Sequence, residues 1–322
     1  MKKYLKCFSI GIVMCLITLL IGGASCPDTK KLSLWNESVL KSMEQFNDKG
    51  GYYTGSKHTE DFPQTTWEGM DSAYQLDTDI QVPVIDVDKA RPSFCSSATY
   101  MLLVRSLLTW NTSQKESAIS RQAWVNLKPY TIEKRDSYGN VIQEKQDDGF
   151  GAWGRANANG PGFAVLVNEL NAGKNYYIGS RSEYSNSDDY YRAWEQAKRF
   201  DFLKIFWNDG IGCDDNNSIG DERGHMVLFL DRTVSYDKNG NRDDIIYYWS
   251  SNGSKPDINA GYSIAKCRVS NVTRAVITRI THPENFNNAA SLEPNNKQQW
   301  LSDLNGKKHG TVEELKKECG IK

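Results

Sequence analysis

The chain has 322 residues, with 39 Lys and Arg against 40 Asp and Glu, 39% hydrophobic residues and seven Cys. That length and apolar content suffice for one large domain or two small ones, and together with the aromatic content they exclude wholesale disorder. The charge balance argues against a nucleic-acid partner, which asks for a basic excess or stripe.

Residues 1–25 read as a signal peptide. Lys2, Lys3 and Lys6 form a positive start, Phe8 to Ile21 an apolar run, and Gly22-Gly23-Ala24-Ser25 a small-residue cleavage site. No later stretch approaches the ~20 apolar residues of a membrane span. An exported protein is expected, in the periplasm or at the cell surface. Cys26 stands where a bacterial lipoprotein carries its lipid, although Gly23 replaces the usual Leu. Lipid-anchored and simply secreted forms both remain open. The remaining cysteines, Cys95, Cys213, Cys267 and Cys319, show no zinc-ligand spacing, so neither a metal nor a cofactor is expected. Export permits a Cys213–Cys267 disulfide.

Residues 26–85 read as a polar N-terminal extension containing one helix, Trp35 to Phe46. Pro92 and Ser93 signal a helix start, and Ala98, Met101, Leu102, Arg105 and Leu108 follow at helical spacing. More helix is expected over 116–125, then a hairpin over 128–148 turning at Asp136 to Asn140, then helices Gly162 to Leu170 and Ser187 to Phe200. From residue 201 the pattern changes to strands: Phe202 to Trp207, Met226 to Leu230, Ile245 to Ser250, Gly261 to Arg268 and Arg274 to Ile280. Residues 291–322 look peripheral, with Thr311 capping a short helix to Cys319. Helices followed by an antiparallel sheet indicate an α+β fold.

Cys95 falls at the start of an apolar helix, where unpaired N–H groups and the helix dipole favour a thiolate. His225 opens a strand, next to a glycine that leaves room. The following strand ends in Ser250-Ser251-Asn252, offering Asn252 or Ser250 to orient the imidazole, with Glu222 in reserve. Trp153 and Arg155, in a Gly- and Asn-rich stretch, are candidates to line a substrate cleft by stacking and by binding a carboxylate. The stretch Tyr184 to Trp194 is a candidate carbohydrate platform. The alternation Asp237, Asn239, Asn241, Asp243 imitates a calcium loop but lacks its glycine and its glutamate, and a hairpin turn accounts for it better.

The order of a Cys-Ser pair at a helix start, Gly-His followed by an apolar strand, and a polar residue on the next strand resembles the papain-like cysteine hydrolases. Cys95-Ser96, Gly224 to Leu230, Asp201 to Trp207 and Ser250-Ser251-Asn252 are closest to the bacterial NlpC-type and CHAP-type cell-wall enzymes. Phe94 and Ser97 depart from the NlpC pattern, where Asp and Gly are usual. The resemblance covers residues 90–110 and 200–280. It implies a papain-like catalytic domain over 86–290, with a helical insertion over 110–200. It also implies amide hydrolysis through a thioester, with peptidoglycan or a peptide as substrate. Two other readings remain: a non-catalytic envelope lipoprotein that binds glycan or peptide, and a secreted protease or toxin acting on protein amides. The oligomeric state is not legible in the sequence.

Overall fold

The computed structural model describes residues 34–129, 131–135, 141–146, 150–212, 222–293, 296, 298–304 and 307–322, with 131–146 as backbone alone. The proposed signal peptide, Cys26, the turn 136–140 and Cys213, with the disulfide expected of it, lie outside the described residues. No helix among the described residues is long and apolar enough to cross a membrane.

In chain order the elements are α1 (Leu34–Met43), β1 (Lys49–Tyr52), α2 (Thr66–Ala73), β2 (Tyr74–Gln75), β3 (Val84–Ile85), α3 (Cys95–Thr112) and α4 (Arg121–Leu127). There follow β4 (Thr131–Arg135), β5 (Val141–Gln146), α5 (Gly151–Ala156), α6 (Phe163–Glu169), β6 (Gly173–Ile178) and α7 (Ser187–Ala193). The last are β7 (Phe202–Phe206), β8 (Gly224–Thr233), β9 (Ile245–Asn252), β10 (Asp257–Arg268), β11 (Arg274–Ile280), α8 (Gln299–Asp303) and α9 (Val312–Glu318). The expected α+β class holds. Seven strands form one antiparallel sheet in the order β1-β10-β9-β8-β7-β11-β6.

Strand alternation gives the sheet two apolar faces. Phe202, Met226, Leu228 and Trp249 share one buried apolar cluster with Ala98, Met101, Leu102 and Leu108 of α3. Leu203, Ile205, Val227, Phe229 and Tyr248 face the other way and pack with Tyr190, Tyr191 and Trp194. The Tyr-rich stretch is thus largely core: Tyr190 and Trp194 are almost fully buried, which removes them as a carbohydrate platform. The expected helix to Phe200 stops at Ala193 and passes through a 3-10 turn to Gln196. Asp201 then accepts the Lys198 N–H at 2.7 Å, and Phe200 takes a positive φ of 72°, so the chain turns into β7 instead of continuing as helix.

Three expectations about the periphery change. The N-terminal extension belongs to the core, because Trp35, Val39 and Met43 of α1 are buried with α3 and β1 pairs with β10. The segment 110–200 is mixed, since it includes the β4–β5 hairpin and donates β6 to the main sheet. Residues 291–322 are not an appendage: Trp300, Leu301, Leu304, Leu315 and Cys319 are buried against Phe206 and Val276. The Trp300 indole N–H donates to the Asn159 carbonyl at 2.6 Å.

Candidate active site

The helix carrying Cys95 begins two residues later than Pro92-Ser93 suggested. Cys95 is its first residue, with extended Phe94 as the N-cap. Phenylalanine has no capping oxygen, and Ser97 supplies one. The Phe94 N–H donates to Ser97 Oγ at 2.9 Å, and that hydroxyl donates back to the Phe94 carbonyl at 2.8 Å. The Cys95 N–H, in the first turn, has no intrahelical acceptor and points out of the helix end. Phe94 itself is buried between Trp67 and Trp153, so the position before the thiol anchors the helix instead of presenting a carboxylate.

The segment before the helix is tied to the sheet at the strand that carries Asn252. Ser93 Oγ donates to Ser251 Oγ at 2.9 Å, and the Ser251 hydroxyl also lies 3.2 Å from the Ser93 carbonyl. Ser93 exchanges backbone hydrogen bonds with β1, accepting from Tyr53 at 3.0 Å and donating to Gly51 at 3.1 Å.

The register of β8 on β9 runs from Thr233↔Ile245 to Leu228↔Trp249. Beyond that, side chains replace the ladder. Ser250 Oγ donates to the Met226 carbonyl at 2.7 Å. On the same edge, the Met226 N–H donates to the Cys95 sulfur. The thiol therefore sits where the two strands part, and there it forms a hydrogen bond with the His225 imidazole.

His225 Nε2 lies 2.9 Å from Asn252 Oδ1, which leaves Nδ1 for the thiol. The Asn252 amide is oriented by its other end, because Nδ2 donates to the Ser263 carbonyl at 2.9 Å and to Ser263 Oγ at 3.0 Å. Its carbonyl oxygen must then face the imidazole, so Nε2 carries a proton and Nδ1 is the basic nitrogen when the ring is neutral. The ring is flanked by Trp207, with centroids 6.3 Å apart, and by Tyr248 edge-on at 5.7 Å. Cys95, His225 and Asn252 all retain partial exposure.

Burial alone would push the Cys95 thiol up. The His225 hydrogen bond and charge, the Met226 N–H and the Lys204 ammonium overcome it, leaving the thiol lowered to about 7. Burial also opposes the imidazolium, but the hydrogen bond and charge of Cys95 and the Asn252 contact outweigh it, and the His225 pKa is raised. Each group favours the charged form of the other. Cys267 is the reverse case, with its thiol pushed up to about 12 by burial and by Asp243.

The structure separates the remaining candidates. Ser250 is fully buried with its hydroxyl committed to Met226, so it braces the strand gap and does not orient the imidazole. Ser250→Ala is expected to cost about 1 kcal/mol of stability in urea denaturation and to leave the alkylation pH profile of Cys95 unchanged. A shifted profile would return Ser250 to the site.

Glu222 does not reach His225 either; it pairs with Lys204 at 2.5 Å and accepts the Gly212 N–H. Trp153 is 1% exposed and packs edge-on against Tyr100 at 5.2 Å, so it cannot stack on a substrate. Arg155 is taken by Glu169 and by the Gly151 carbonyl at 3.0 Å, which leaves it unsuited to capture a carboxylate. Asp237 accepts the N–H groups of Asn239 and Asn241, as a hairpin turn requires, so the imitation calcium loop is a turn.

Two site features escaped the sequence. Tyr52, on edge strand β1, is half-buried, and its hydroxyl is pushed up to about 12, first by burial and then by the nearby Cys95 charge. Its approach depends on Gly253, where a Cβ would stand 2.3 Å from Tyr52 Cγ. An aromatic residue in one segment and a glycine after the Asn in another carry no joint signal until the sheet brings them together. The other feature is the buried Lys204–Glu222 pair, for which the available signal was a lysine inside the apolar run Phe202 to Phe206. Compared with known proteins, the chain matches no family model, no curated protein and no solved structure.

Proposed function

We propose that the chain is a papain-like cysteine hydrolase that cleaves amide bonds through a thioester. Cys95 is the nucleophile, His225 the acid and base, and Asn252 the residue that orients the imidazole. The observation carrying this reading is the continuous relay from the thiol through His225 to an amide whose own orientation is fixed by Ser263. A nucleophile hydrogen-bonded to a base that a third group orients is the arrangement acyl transfer needs. A structural cysteine in a core needs none of it, as Cys267 and Cys319 illustrate.

In the proposed reaction the Cys95 thiolate adds to the amide carbonyl. The Cys95 N–H, at the helix end, and the Tyr52 hydroxyl, across the site, are the donors available to the developing oxyanion. His225 protonates the leaving amine, then takes a proton from water as its oxygen bonds to the acyl carbon. Departure of the product acid restores the thiolate. Asn252 holds the ring with Nδ1 toward sulfur throughout.

The substrate proposed is peptidoglycan, cut in the stem peptide or at its link to the sugar, after export of the chain in secreted or lipid-anchored form. This part follows from the cell-wall resemblance of the Cys95-Ser96 and Gly224-His225 segments together with the leader-like residues 1–25. Digestion of purified peptidoglycan with mass spectrometry of the products tests it. Wild type is expected to release fragments and Cys95→Ala none, a loss of at least about a hundredfold. No release by wild type would reject the cell-wall substrate and favour a protein amide or a binding role. Equal release by both proteins would reject Cys95 as the nucleophile.

A further inference from the structure

Beside the thiol lies a charge pair that the acyl-transfer steps leave unused. Lys204 stands in the middle of β7, opposite Met226, while the other four residues of that strand are Phe, Leu, Ile and Phe. Its ammonium is 2.5 Å from Glu222 Oε1, and the two side chains are only 8% and 2% exposed. The second Glu222 oxygen accepts the Gly212 N–H. The ammonium lies 5.4 Å from the Phe206 ring centroid. A Cβ on Gly224 would sit 2.8 Å from Lys204 Nζ and 3.0 Å from Glu222 Oε1. The ion pair thus lies across the open side of Gly224, the residue before His225.

Stability does not explain such a pair. Taking two charges out of water is costly, and well-packed apolar residues of the same shape often serve a core as well or better. Position does explain it. Lys204 lies opposite Met226, the residue after His225, and its ammonium lies across Gly224, the residue before it. With His225 from β8 and Tyr52 from β1, this lysine is among the ionisable groups whose charge couples to the thiol. Lys204 is the one ammonium among these. Its field favours the negative sulfur and opposes a positive imidazole.

We propose that Lys204, fixed by Glu222, is a positioning residue for the Cys95–His225 pair, holding the sulfur as thiolate before attack and driving the imidazole to its neutral, basic form after acylation. This rests on the reading of Cys95 as nucleophile. In the thioester the sulfur no longer carries charge, so the support it gave the imidazolium is gone and the opposing ammonium remains. His225 is then ready to take a proton from water as the water oxygen bonds to the acyl carbon and the carbon–sulfur bond breaks.

The test compares the full-length wild type with the double variant Lys204→Met/Glu222→Leu, which leaves no lone buried charge. A second variant, Glu222→Gln, keeps the ammonium but removes its counter-charge. Iodoacetamide alkylation of Cys95 is followed across pH by mass spectrometry of the Cys95 peptide. The double variant is expected to move the midpoint up by about half a pH unit, about a threefold loss of thiolate on the acid side. Glu222→Gln is expected to move it down, because the cation is unmasked. In protein already alkylated at Cys95, NMR titration of His225 is expected to give a higher midpoint for the double variant than for wild type.

A structural brace would not shift the two variants in opposite directions. Should the double variant fail to fold, Glu222→Gln and the reference Lys204→Arg still decide the matter. Arginine is expected to preserve the wild-type profile. Unchanged midpoints in folded variants would overturn the inference and leave the nucleophile assignment standing. A wild-type Cys95 that titrates like an ordinary thiol near about 8.5 would instead remove the reading on which the inference rests.

Discussion

Replacing His225 with alanine is expected to slow alkylation of Cys95 roughly sixfold at pH 6 and about threefold at pH 7, and to reverse the order of the two proteins above about pH 8. The argument begins from the thiol at about 7 in the intact site. Without the imidazole, burial is opposed only by the Met226 N–H and by Lys204, and the thiol returns to the ordinary range near about 8.5. Its thiolate fraction at pH 7 then falls from about one half to about 3%. The gain in intrinsic nucleophilicity that accompanies the higher pKa gives back about fivefold.

On the alkaline side both proteins are ionised, so the variant, with the more nucleophilic sulfur, reacts faster. The sign follows directly: a lowered thiol pKa helps below its ordinary value and costs reactivity above it. A variant that merely loosened the site would change the rate in one direction at every pH. Parallel pH profiles would therefore contradict the proposed thiol–imidazole coupling. Amide hydrolysis should suffer far more, by about 10²- to 10⁴-fold, because proton transfer to the leaving amine is lost along with the thiolate.

Trp153→Ala is expected to cost about 3–5 kcal/mol of stability while leaving the pH profile of Cys95 in the folded protein unchanged. The side chain is 1% exposed and wedged between Phe94, at the start of α3, and Tyr100, one helical turn and a half further along it. Removing the indole opens a cavity beneath the helix that carries the thiol, and the surrounding rings can only partly refill it. Urea denaturation gives the loss directly, through a lower midpoint. Little change in stability with a marked loss of substrate affinity would restore Trp153 to the cleft.

Much of the sheet and the core of the site were readable in the residues. Phe202 to Phe206 and Arg274 to Ile280 are largely apolar or β-branched runs; the first forms β7, paired with the strand that carries His225, and the second forms β11, next to β7. The edges were not readable. β1 is Lys-Gly-Gly-Tyr and β6 is Gly-Lys-Asn-Tyr-Tyr-Ile, and an edge strand needs little hydrophobic signal of its own because its partner supplies the ladder. Tyr52 was lost with β1. Cys95, His225 and Asn252 could be found because each sits at a recognisable boundary, a helix start or a strand end. Trp153 and Arg155 misled for a related reason: a glycine-rich setting suggests a loop, but Gly151 to Ala156 is a buried helical turn. Sequence shows what a side chain can do, and the packing around it decides whether it is free to do it.

The order β1-β10-β9-β8 gives the chain a built-in timing. Cys95 emerges from the ribosome long before His225 and Asn252, and the sulfur meets the imidazole only when residues 224–252 have formed strands against α3. Tyr52 is held over the site only after Gly253 and β10 have docked beside β1. Such distant pairings form late in folding. Cys95 thus reports on the completeness of its own fold, and a brief exposure to iodoacetamide at mildly acidic pH would preferentially mark molecules whose C-terminal strands are in place.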